Sequence, residues 1–232
     1  MLRNNADRAQ QAVVVFYCTA GLSLGAAALD LLYVNRLDHG TEAASALDSV
    51  LDIGQGLSGL LVLVLVITGF VVLIRWLRRA YVNLQLAGLD NDYSDGWAAG
   101  AWFVPFLNLH RPYSIVREVW RGTQLQASGY VQPHGLLRAW WLVYLLDSGL
   151  SNFAGRMAFR AESVPELQNA TWLSFFSNLT GIAAAVLTAL VVRRIARFEE
   201  ALHLQAQVEE LGKPAPESTE YLPTDLAGEQ YF

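Results

Sequence analysis

Residues 94–121 read SDGWAAGAWFVPFLNLHRPYSIVREVWR, and the course of this stretch decides how the rest of the chain is arranged. Its apolar run, Trp97–Leu109, is thirteen residues long. A bilayer core needs about 20 apolar helical residues to cross, so a run this short reads as re-entrant or interfacial. Pro105 interrupts any helix near the middle of the run, and Asn108 adds a polar amide. Irregular backbone at membrane depth persists only where protein or a wet cavity satisfies it. Pro112 suits the first turn of a new helix. In that helix Ile115, Val116, Val119 and Trp120 share one face, while Arg117, Glu118 and Arg121 face away. Such a pattern fits a helix lying in the membrane surface. Residues 96–121 are therefore expected to dip into a membrane and return to the same side.

Working outward, the composition agrees with a membrane setting. Hydrophobic residues make up 53% of the 232-residue chain and charged residues only 16%, against about 25% charged in ordinary soluble domains. Apolar runs at about 12–33, 53–74, 139–155 and 171–192 predict four transmembrane helices. The expected fold is all-α and polytopic, with one membrane domain over residues 1–200. The first run is too long for the core of a secretory signal peptide, and Tyr17 before Cys18 is wrong for a lipoprotein cleavage site. Gly88 is placed to end the helix that continues beyond the second run. Trp140 and Trp141 at the start of the third run fit an interfacial aromatic belt. Residues 201–232 read as a short amphipathic extension and then an acidic tail expected to be disordered.

Charge placement tests this topology. With four crossings and a returning central segment, thirteen of the sixteen Lys/Arg residues fall on one face, leaving Arg36, Arg156 and Arg160 on the other. A fully crossing central segment would reduce the split to nine against seven. The positive-inside rule selects the first arrangement, with both termini cytoplasmic in the inner (plasma) membrane. No basic tract suggests nucleic-acid binding.

The central block resembles a family of bacterial multi-pass membrane proteins, the domain of unknown function forty-three twenty-eight. The residues carrying the resemblance are Trp76, Arg79, Ala80, Asn83 and Leu84; then Gly96, Trp97, Gly100, Trp102, Phe103, Pro105, Phe106, Asn108, Leu109, Pro112 and Tyr113; then Arg117, Glu118 and Trp120. His110 stands where the family pattern has an aromatic residue. The resemblance implies a multi-pass membrane domain and brings no activity with it.

Two groups of residues could carry chemistry. Asp147 is ninth of the seventeen residues between Arg138 and Arg156, near the middle of the third run. A carboxylate there is expensive and points either to an intramembrane proton or cation site or to hydrogen-bonded glue between helices. Tyr144, Ser148, Ser151 and Asn152 surround it at helical spacing, and Ser174, Ser177, Asn178, Gly181 and Thr188 form a second polar stripe. The other group is Arg75, Arg78, Arg79, Arg111, Arg117 and Arg121 with Trp97, Trp102, Asn108 and Trp120. On the cytoplasmic side these could hold anionic lipid headgroups or a protein partner, or serve only as snorkelling topology determinants. Glu118 is expected as a counter-ion to these arginines.

Other motifs carry less. Asp90, Asp92 and Asp95 resemble a calcium loop, but Gly96 falls one position late and the closing glutamate is missing. They read as a solvated turn, with Ser94 or Asp95 capping the next helix. Gly21 and Gly25 have the spacing of a helix-pairing motif, which admits a homo-oligomer. The histidines fall outside the spans, and no catalytic constellation, metal-ligand spacing or cofactor motif is present in the sequence. The expected function is non-enzymatic: a membrane scaffold or regulator binding lipid or a partner protein. The alternative is a small transporter or channel working through Asp147.

Overall fold

The computed structural model describes residues 2–38 and 46–211, so the expected acidic tail over 212–232 lies outside the described residues. Helices α1 (Ala6–Asp38), α2 (Ala46–Leu86), α5 (Gly135–Arg160) and α6 (Val164–Leu211) are the long elements. Between α2 and α5 run the single turn α3 (Trp97–Gly100), a 3₁₀ turn at Leu107–Leu109, and α4 (Arg111–Ser128). No strand occurs among the described residues. Residues 46–52, which precede the apolar run at 53–74, form the first turns of α2.

Three helices, α1, α2 and α6, are long and apolar enough to cross a membrane. Four were expected, and α5 is the one that falls short. Its 26 residues suffice for length, but one face carries Tyr144, Asp147, Ser148 and Ser151 while the other exposes Leu142, Leu146 and Phe153. Averaged over both faces, such a helix is not apolar. Helix α2 differs, because Leu57, Leu61, Ile67 and Val71 are all at least half exposed along an almost uncharged run. A helix apolar on all sides with few protein neighbours suits surrounding lipid.

The long helices follow one another in the order α2, α1, α6, α5, with α1 packed along both α2 and α6, and α5 along α6. Helices α2 and α5 do not pack along each other. The gap between them is bridged at one end only, where the central segment folds inward. That end, which carries Arg75 and Arg193, contains the apolar core: Trp76, Leu77, Tyr81, Ile115, Leu137 and Ile195 are fully buried there. Gly88 ends α2's extension with φ +82°, as its position predicted.

The apolar face of α4 is not laid open toward a membrane surface. Ile115, Val116, Val119 and Trp120 are at most 2% exposed, because α4 packs on α6 and α2. Periodicity showed which residues share the face but could not show whether lipid or protein would cover it. Arg117 and Arg121 point outward as expected. The 97–109 stretch turns back on itself, since Arg111 just beyond its end stacks over Trp97 at its start, 4.1 Å from the ring centre. Its tip leaves Phe103, Phe106 and Leu109 more than half exposed. Phe106 holds a left-handed φ of +63°, a strained choice for a residue with a Cβ.

A polar latch ties the arginine end together. Asn5 Nδ2 donates to Glu199 Oε2 at 3.1 Å and to the Trp76 carbonyl at 3.3 Å. Asn83 Nδ2 donates to Glu199 Oε1 at 3.3 Å and to the Arg3 carbonyl at 2.9 Å, and Asn83 Oδ1 accepts the Arg3 N–H. Glu199 lies beyond Arg197, past the apolar run of α6, yet is only 6% exposed. Burial pushes its carboxyl up to about 7, against the pull of Asn5 and Asn83. Trp76 Nε1 also faces the acid, but without completing a well-aligned hydrogen bond.

Candidate functional site

Toward the opposite end the space between the helices is polar. Thr19, Ser23 and Asp30 recur at helical spacing on α1 and face Gln55 and Ser58 of α2 across a cavity of about 950 Å³. Helix α5 supplies Tyr144, Asp147, Ser148 and Ser151, and α6 supplies Ser174, Asn178, Gly181 and Thr188. Both polar stripes read from the sequence therefore line one cavity. Its lining contains the carboxylates Asp30, Asp52 and Asp147 and no arginine, lysine or histidine. Leu63 and Val66 of α2 line it while being 54% and 40% exposed, so it reaches the surface in the gap between α2 and α5.

The two deeper acids are held differently. Asp30 is 3% exposed, and each of its oxygens accepts one amide: Gln55 Nε2 at 3.0 Å and Asn178 Nδ2 at 2.8 Å. Asn178 of the second polar stripe thus serves Asp30 rather than Asp147. Asp147 receives only long bonds to Oδ1, from Thr180 Oγ1 at 3.3 Å and Ser151 Oγ at 3.4 Å. Its Oδ2 accepts nothing from the described residues. The Ser151 and Ser177 hydroxyls share a 2.7 Å hydrogen bond beside it. Gly181 of α6 faces this acid, and a Cβ there would meet Asp147 Oδ1 at 3.4 Å, about ordinary contact distance.

An aromatic plug closes the arginine end of the cavity. The Trp102 ring, 7% exposed, meets Phe70, Trp141 and Tyr144 edge-on at centroid distances of 5.6, 6.2 and 5.8 Å. Its indole N–H donates to the Ala98 carbonyl, fixing the ring to the α3 turn. Trp141 Nε1 donates to the Leu109 carbonyl, tying α5 to the far side of the same loop. The central segment is thus anchored by the residues that form the cavity's floor.

The arginine group is less unified than its sequence suggested. Arg111 is committed to stacking on Tyr93 and Trp97, at 5.1 and 4.1 Å. Arg78 lies 3.5 Å from Asp95. Arg75 and Arg79 sit near Arg8, which donates to the Arg75 carbonyl. Trp102 and Trp120 are buried and offer no surface to a partner. Arg75, Arg78, Arg117 and Arg121 are exposed, while Arg79, Arg111, Trp97 and, in the 3₁₀ turn, Asn108 are half-buried. Glu118 does not act as a counter-ion. It accepts the Tyr81 hydroxyl at 2.8 Å and the Asp92 N–H at 2.7 Å, pinning the 89–95 turn to α4. Neither Ser94 nor Asp95 caps α3, which begins with backbone hydrogen bonds alone. No group of three His, Cys, Asp or Glu side chains that could hold a metal occurs among the described residues. Gly21 and Gly25 face open space, so the packing within this chain does not use them.

Asp30, Gln55 and Ser23 were missed as site residues. Asp30 was visible as a lone carboxylate ending an apolar run, and Thr19, Ser23 and Asp30 share its helical face. The latch residues Asn5 and Glu199 carried no local signal, since Glu199 sits in what reads as an ordinary solvated charge run.

The fold and cavity define a class: an all-helical protein with helices compatible with membrane crossing, wrapped around an acid-lined space. Within that class the chain belongs to the family described as a domain of unknown function, DUF4328, which matches residues 42–197. No curated protein and no solved structure matches the chain. The residues that carried the resemblance have structural places here, Trp76, Ala80 and Leu84 in the core, Asn83 in the latch and Trp102 in the plug.

Proposed function

We propose that this protein binds a cation-bearing amphiphile in its interhelical cavity and passes it across the inner membrane. In this reading α5 joins α1, α2 and α6 as a fourth crossing, its polar face turned to the cavity. The Lys/Arg distribution favours both chain ends on the cytoplasmic side. One observation carries the functional reading: the cavity is lined by carboxylates, amides and hydroxyls with no basic side chain. An uncompensated negative charge in a low-dielectric surround favours a cation, and Asp147 Oδ2 is the acceptor without a protein partner. The lateral gap between α2 and α5 gives the apolar part of such a ligand access from lipid. The activity is binding and passage, with Asp30 as the held charge and Asp147 as the exchangeable one.

The test uses protein reconstituted in vesicles, with tetraphenylphosphonium as the hydrophobic cation and tetraphenylborate as an anion of similar shape. Cation binding should saturate, prefer the cation over the anion, and fall at least about tenfold in Asp147→Asn, the loss expected for removing one charge contact. Equal binding of the two ions, or an unchanged affinity in Asp147→Asn of normal thermal stability, would overturn the reading.

A second reading, a scaffold whose cytoplasmic face meets lipid or a partner protein, is favoured by Arg117 and Arg121. They lie four residues apart on the outer face of α4, exposed and without a salt-bridge partner among the described residues. Removing both charges should then weaken co-purification of the bound lipid or protein, and unchanged co-purification sinks this version.

A further inference from the structure

A second cavity has the opposite chemistry. It lies at the arginine end, has a volume of about 310 Å³, and is lined by Arg193, Arg194 and Arg197 of α6 together with Gln132, Pro133 and Leu136. Trp120 and Leu190 complete its wall. No carboxylate lines it, and none of the three arginines has a salt bridge among the described residues.

The site is built by two elements held in register. Residues 129–134 connect α4 to α5, and this linker is pinned by Gln124, which is fully buried and donates to the Trp120 carbonyl. Gln124 Oε1 in turn accepts the Gln132 N–H at 2.8 Å. Gln132 Oε1 then accepts Arg194 Nη2 at 2.7 Å, which points that guanidinium along the cavity wall. Arg194 also lies over Phe198, 5.9 Å from the ring centre. On the adjoining face Arg193 Nη1 donates to the Tyr17 hydroxyl at 3.4 Å. Arg197, one turn beyond Arg193, has no hydrogen-bond partner among the described residues. Guanidiniums are planar forks that match a phosphate bidentately. Three around one cavity, with neutral residues completing it, form an anion site rather than a set of paired surface charges.

Position supplies the ligand class. Leu190, which is 38% exposed, lies in the last turn of the apolar run of α6, and Arg193 directly follows that run. The cavity therefore has apolar wall on one side and guanidiniums on the other. We propose that Arg193, Arg194 and Arg197, with Gln132 and Pro133 of the linker and Leu136 of α5, bind a phosphate group, as a lipid headgroup or as a free phosphate.

Thermal unfolding of the purified protein in a neutral detergent tests this, with short-chain phosphatidylglycerol, short-chain phosphatidylcholine and inorganic phosphate as separate additions. The expected result is saturable stabilisation by phosphatidylglycerol and none by phosphatidylcholine. Stabilisation by phosphatidylglycerol alone assigns a lipid headgroup, and matching stabilisation by inorganic phosphate assigns a free phosphate. Arg197→Gln should weaken the effect about tenfold, as expected for one lost charge-assisted contact. The triple change of Arg193, Arg194 and Arg197 to Gln should abolish it, while Arg156→Gln with Arg160→Gln should not alter it. Because Arg197 makes no internal hydrogen bond, its single variant keeps the test valid should the triple variant fail to fold. Equal stabilisation by phosphatidylcholine, or an unweakened response in Arg197→Gln, overturns the proposal.

Discussion

Glu199→Gln should stabilise the protein above neutral pH and leave it nearly unchanged in acid. The wild-type carboxyl moves from an ordinary 4.5 when unfolded to about 7 when folded, chiefly through burial. A raised acid favours the folded state only while protonated in it. Below pH 4.5 both states hold the proton and there is no penalty. Between 4.5 and 7 the unfolded chain ionises first, so stability declines with rising pH, and above 7 the loss is complete. At about 1.4 kcal/mol per pH unit, the total is about 3 kcal/mol. Glutamine is neutral at every pH and keeps Oε1, the oxygen that accepts from both Asn5 and Asn83. The gain from Glu199→Gln should therefore grow from near zero at about pH 4 to about 3 kcal/mol at about pH 8. Denaturation in detergent across that range, wild type beside variant, is the measurement. A variant less stable than wild type at about pH 8 would refute the reasoning. It would mean that the donors gathered around the ionised carboxylate outweigh its burial.

Two further outcomes follow from the central segment. Trp102→Ala should lose about 3–5 kcal/mol of stability, the usual cost of emptying a buried aromatic site. It should also open the cavity floor, so that a cysteine placed at Ser148 reacts faster with a water-soluble thiol reagent from the arginine side; unchanged labelling would show that Trp102 is no barrier. Phe106→Gly should stabilise the protein in detergent by about 1 kcal/mol, because glycine adopts the left-handed backbone without strain. At 86% exposure the phenyl ring has little packing to lose. A lowered unfolding midpoint would show that the ring contributes more than its backbone costs.

Much of the helical layout was legible because an uncharged apolar run as long as a bilayer is thick is costly to leave in water and suits a membrane helix. Helix α5 shows where that rule weakens: half its surface faces a polar cavity, so its partners decide its composition. The face of α4 was readable from spacing, but its covering by α2 and α6 depends on contacts far apart in sequence. The same holds for the site. Tyr144, Asp147 and Ser151 form a stripe that one helix displays locally. The Asp30–Asn178 contact joins residues 148 positions apart, and no periodicity within either helix pairs them. Trp102 and Trp120 beside the arginines read as a binding surface for lipid or a partner, yet both are buried, at 7% and 2% exposed.

The latch also sets an order of events during synthesis. Asn5 and Asn83 leave the ribosome early, while Glu199 lies 194 positions after Asn5. Until α6 is made, neither amide has its carboxylate, and the chain's start is held to α2 by Asn83, by the Trp76 carbonyl and by Arg8 donating to the Arg75 carbonyl. Contacts of such long sequence separation form late and slowly. The protein therefore completes the latch only with its last helix, so a chain stopped before Glu199 would lack the carboxylate that joins its leading end to α6.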